Sequence, residues 1–208
     1  MEKHSIAYND FINQISATGH QKAQGYDPDL LNKIYDNERI EVEKMIVELF
    51  SKGDRDVDIF LPQLKIVDGI ALLKEEIKKW PPPSIVNARI AHILYKVTND
   101  DYYEGLLIEN LMIKTNCYRS VVVGYLLDCK PSKKLENIYK RIYQNDADDI
   151  ARFNAAIGFL YCKGLLSDTR NIDIDKPMLD LIVALSSENK EEMKRAEEII
   201  DKLSYNSF

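Results

Sequence analysis

Three stretches of this chain, PSIVNARIAHILYKV, NCYRSVVVGYLLDCK and ARFNAAIGFLYCKG, align without a gap when Val86, Arg119 and Arg152 share one column, 33 residues apart. Ile90, Val123 and Ala156 then coincide, as do Ile93, Leu126 and Phe159, and after them Leu94, Leu127 and Leu160. These columns have the i, i+3, i+4 spacing of a single helix face, held in register through three copies. A helix with such a stripe cannot bury it alone, so its neighbours must stack on it. Each copy is preceded by a first helix, read in GIALLKEEIKKW, DYYEGLLIENLMIKT and PSKKLENIYKRIYQN. The expected fold is therefore all-α: a right-handed α-solenoid of stacked antiparallel helix pairs with capping helices at both ends. The repeats centre near 69–98, 101–130 and 133–163, and a C-terminal cap covers 176–203. Residues 1–26 read as an N-terminal helix and polar link, and 27–208 as a single helical-repeat domain.

Composition agrees with helices. Only 8 glycines and 7 prolines occur in 208 residues, too few for a chain built from tight turns. The net charge of −6 argues against nucleic acid, whose binding needs cations to displace counterions, and favours a basic protein partner. No apolar run is long enough to span a bilayer, and no membrane partner is expected. The N-terminal residues lack the apolar core of a signal peptide, and three cysteines make no disulfide framework, so a cytoplasmic setting is expected.

Local signals refine the reading. Residues 5–16 suit a first helix. Asp27 and Pro28 suit the start of a second, in which Leu31, Ile34 and Tyr35 recur at helical spacing. Asp54, Asp56 and Asp58 mimic the opening of a calcium loop, but Ile59 occupies its glycine position and Lys65 its twelfth, so a Pro-interrupted helix is expected instead. Asp148 and Asp149 suit a helix N-terminus. NIDID, 171–175, reads as a solvated connector. Met193, Ala196, Ile199, Ile200 and Leu203 place the apolar side of the final helix opposite its charges.

The pairs, ARFNAAIGFL above all, resemble degenerate HEAT-type repeats over roughly residues 38 to 203. The 33-residue period is shorter than HEAT units usually show. Neither the Trp-Leu-Gly-Tyr pattern of tetratricopeptide repeats nor the Thr-Pro-Leu-His of ankyrin repeats is present. In size, charge and architecture the chain is also similar to bacterial toxin-neutralising immunity proteins, a resemblance that implies a protein-binding role.

Catalytic motifs are missing from the sequence. His92 has no second histidine or carboxylate at i+4, and no Gly-rich phosphate loop or Gly-x-Ser-x-Gly elbow occurs. Cys117, Cys129 and Cys162 lack zinc-site spacing and read as small buried hydrophobes. The expectation is no enzyme, no metal and no cofactor. On the helix faces opposite the apolar stripe lie Ala88, His92 and Tyr95, then Val121, Tyr125 and Asp128, then Asn154, Gly158 and Tyr161. Stacking would align them as an aromatic and polar strip, from which His92, Tyr95, Tyr125, Asp128, Asn154 and Tyr161 are candidate partner-binding residues. The expected function is a non-catalytic interaction module, most concretely an immunity-type protein that neutralises a basic toxin. The alternative is a HEAT-like DNA-repair glycosylase, which would need a cationic groove. Arg89, Arg119 and Arg152 are few for that purpose, and Arg89 stands outside the column of the other two.

Overall fold

The first helix begins where Ser5 turns its hydroxyl back on the Tyr8 amide, a cap that satisfies an orphan donor. The fold is seen in a computed structural model that describes residues 4–23, 25–113, 117–169 and 175–205. Among these residues there are helices and no strand: the protein is all-α. No described helix is long and apolar enough to cross a membrane. The chain divides into two compact units, residues 1–81 and 82–208, so the link expected to end at 26 lies inside the first.

The first unit contains α1 (Ile6–Ser16), α2 (Gly19–Ala23), α3 (Leu30–Lys33), α4 (Asp36–Ser51), a 3-10 helix η1 (Arg55–Gln63) and α5 (Gly69–Ile77). The single helix expected from Pro28 through Tyr35 is broken. Ile34 and Tyr35 are extended, and the Tyr35 amide donates to Glu38 at 3.0 Å, which starts α4 afresh. The same Glu38 carboxylate accepts from the Ser5 amide at 2.8 Å, the Ser5 hydroxyl at 2.6 Å and His4 Nδ1 at 3.0 Å. The N-terminal arm is thus fastened to α4. Asp54 caps η1 through the Asp56 amide and pairs with Lys22, and Asp58 is buried 3.6 Å from Arg55. Those aspartates serve the local fold. Val42, Ile46, Phe60, Leu61 and Leu73 form the core.

The second unit contains α6 (Ile85–Thr98), α7 (Asp101–Met112), α8 (Arg119–Leu126), α9 (Lys133–Asn145), α10 (Asp149–Cys162), α11 (Lys176–Ser186) and α12 (Lys190–Tyr205). Helices α6 and α7 pack as a pair, as do α9 and α10 and then α11 and α12; α8 packs on α6 and on α10. Every residue of the three apolar columns is buried, from Ile90, Val123 and Ala156 to Leu94, Leu127 and Leu160. Each such side chain contributes about 1.5–3 kcal/mol when fully removed from water, less for alanine. Asp148 caps α10, and Asp175 caps α11 ahead of Pro177. The rest of the NIDID connector lies outside the described residues.

The two column arginines tie successive pairs together. Arg119 donates to the Leu111 carbonyl behind it and, from Nε and Nη2, to the Asp146 carboxylate ahead at 2.9 and 2.6 Å. Arg152 repeats the pattern, donating to the Asp146 carbonyl at 2.9 Å and to the Ser186 carbonyl at 2.9 Å. A planar guanidinium suits this double reach, because its fixed fork serves two acceptors at once. At the C-terminal end Glu197 accepts from Tyr143, Gln144 and Lys140, fixing α12 to α9. The cap differs from expectation in one respect. Met193, Ala196 and Ile200 are buried, but Ile199 and Leu203 are 47% and 41% exposed.

Candidate functional site

An open hollow of about 680 Å³ lies across α6, α8 and α10, where the apolar stripe gives way to polar and aromatic side chains. His92 and Lys96 come from α6, Tyr125 and Gly124 from α8, Asp128 from the turn after α8, and Asn154 and Ile150 from α10. His92 lies flat on Tyr125, the rings nearly parallel with centroids 4.4 Å apart. Its Nε2 donates to Asp128 Oδ2 at 2.6 Å, a short hydrogen bond to a carboxylate. Lys96 stands 3.9 Å from the same carboxylate and is more than half exposed. Asn154 Nδ2 donates to the Ser120 carbonyl at 3.4 Å, linking α10 to the start of α8.

Four of the six residues expected on the strip meet here: His92, Tyr125, Asp128 and Asn154. Tyr95 is elsewhere. It is buried, and its hydroxyl accepts from the Lys130 amide at 3.0 Å, which joins the end of one repeat to the end of the next. Burial pushes its phenol above the ordinary range. Tyr161 is half-buried and does not line the hollow. Ala88 and Gly158, also expected on the strip, belong to the core; Gly158 lies against the ring of Tyr139, itself buried.

Lys96, Ser120, Gly124 and Ile150 escaped the sequence reading. Each lies one position or one helical turn from a chosen residue, so widening the strip by a turn would have found them. The His92–Asp128 contact was harder to see. A search for carboxylates four residues from His92 meets Lys96, whereas the carboxylate that answers it comes from the next repeat.

The hollow is open to solvent and is lined by a stacked pair of rings, a carboxylate and an amide. The cysteines lie outside it. Cys129 is buried, and burial first, then the charge of Glu104, pushes its thiol up to about 12, so the nucleophilic thiolate is scarce at neutral pH. Cys162 is half-buried and raised for the same first reason, while Cys117 is exposed, contrary to the expectation that all three are buried. Among the described residues no cluster of three or more His, Cys, Asp or Glu side chains is placed to hold a metal ion. No known protein family, curated protein or solved structure matches the chain.

Proposed function

We propose that residues 82–208 form a right-handed, HEAT-like α-solenoid, and that this solenoid is a non-catalytic module binding a basic protein through the His92–Tyr125–Asp128 hollow. The observation that carries the reading is convergence. Three helices related by the 33-residue period bring an aromatic stack, a carboxylate and an amide to one open depression on a protein of net charge −6. Aromatic surface gives contact area at little entropic cost, and Asp128 gives a cationic side chain an anchor. Lys96 is exposed and stands 3.9 Å from that carboxylate, and a partner's arginine or lysine would take its place beside the His92 bond. Overall negative charge would steer such a partner to the surface.

The most concrete version is neutralisation of a toxin whose active-site cleft is cationic, in a cytoplasmic setting. The glycosylase alternative has no observation in its favour. Arg119 and Arg152, which such a groove would need, are engaged with Asp146 and with main-chain carbonyls.

Tagged protein recovered from its native cells at moderate salt should carry a stoichiometric basic protein, identified by mass spectrometry. The Tyr125→Ala and Asp128→Lys variants should each weaken that complex by roughly tenfold or more, as hot-spot truncation and charge reversal do. A retained nucleic acid or small molecule in place of a protein, or a partner indifferent to both substitutions, would falsify the reading.

A further inference from the structure

The last helix pair leaves an apolar groove open to solvent, apart from the hollow. Leu181 and Ala184 of α11 face Ile199 and Leu203 of α12 across a volume of about 430 Å³. Val183, on α11, is also 53% exposed. A contiguous apolar strip left exposed on a protein surface invites association.

The rim of the groove carries both signs of charge. Asp180 stands on the α11 wall and Arg195 on the α12 wall. Glu192, also on the rim, is already engaged by Ser187 and Asn189. Among the described residues, the side chains of Asp180 and Arg195 make no ion pair or hydrogen bond with each other or with any third group. An acid and a base therefore flank one apolar strip, both exposed.

We propose that this groove is the contact face of a homodimer, in which two copies meet about a two-fold axis. A two-fold contact presses one patch against itself, so the patch must complement itself. This one does. Apolar centre meets apolar centre, and Arg195 on each copy reaches the partner's Asp180. A basic partner of the kind bound at the hollow would gain nothing from Arg195, and an acidic one would be repelled by Asp180.

Analytical ultracentrifugation of the full chain tests this, with concentration raised to about 100 µM, well above the dissociation constants of specific dimers. The wild-type protein should sediment as a dimer. Arg195→Asp and Asp180→Arg should each raise the dimer dissociation constant at least about tenfold, because like charges then face one another twice. Mixing the two variants should restore a dimer, since each then supplies what the other lacks, and the double variant should dimerise on its own. Leu203→Glu, at an exposed position, should dissociate the dimer through the apolar centre. A wild-type monomer throughout the range overturns the proposal and leaves the groove to another occupant, such as an amphipathic helix of a different protein. Dimers that ignore the substitutions, or singles that fail to complement when mixed, overturn it as well.

Discussion

Two glycines occupy neighbouring copies of the repeated helix, and a methyl group added to each would have opposite effects. At Gly158 a Cβ would stand 2.5 Å from the ring of Tyr139, a side chain buried on every side. The ring has no room to retreat, and overpacking of this kind costs about 1–3 kcal/mol. At Gly124 the nearest atom is the Asn154 amide nitrogen at 3.7 Å, an ordinary contact. Glycine inside a helix is less favourable than alanine by about 0.5–1 kcal/mol. Gly158→Ala should therefore lower, and Gly124→Ala raise, the denaturant midpoint of unfolding by these amounts. Equal effects of the two substitutions would contradict the packing described. The same pair shows what single residues reveal unaided. Gly158 aligned with His92 and Tyr125 and was read as part of the strip, because nothing in ARFNAAIGFL discloses a tyrosine nineteen positions upstream pressing on it.

At the scale of helices, Glu38 joins α1 to α4 through the Ser5 amide, the Ser5 hydroxyl and His4. Burial alone would raise its pKa, but the bonds from Ser5, then those from Tyr35 and His4, outweigh burial and hold the carboxyl at about 2 instead of 4.5. A carboxylate with a depressed folded-state value stabilises the protein fully above the unfolded value. That contribution fades as pH falls from 4.5 toward 2. Glu38→Gln should therefore be less stable than wild type at pH 7, and the gap should narrow steadily below pH 4.5 in denaturant titrations. A gap that is constant with pH would mean that the ionised carboxylate is not what joins the helices. This fastening was illegible beforehand, since Ser5 and Glu38 stand 33 positions apart with no shared motif. Helix length decided another reading. α6 and α10 each run for 14 residues, whereas α8 stops after 8, at Leu126. Asp128 thus lies in a turn, where a 100° step per residue no longer applies, and swings toward His92 while its column mate Tyr95 stays in the core. The apolar columns were legible because burial acts on the same face of every copy; the polar face answers to each helix's own end.

At the scale of the whole chain, the boundary between the compact units at residues 81 and 82 falls inside the first expected repeat, 69–98, leaving its first helix, α5, in the first unit. All three apolar columns, both column arginines and the hollow fall within residues 82–208. That unit has its own fully buried centre in Ile90, Leu94, Leu107, Val123, Leu126 and Leu160. A segment of this size with a continuous core normally folds in one cooperative step. Expressed alone, residues 82–208 should keep a helical far-ultraviolet spectrum and unfold in a single transition. That transition should be as sensitive to Gly158→Ala as the full chain is. A segment that is molten, with helical signal but no cooperative melt, would show that the stacked pairs need residues 1–81 to complete their packing. A cooperative melt combined with retention of the proposed basic partner would place recognition within residues 82–208. The first unit would then be left free for a separate role, with its fastened N-terminal arm and its buried Asp58.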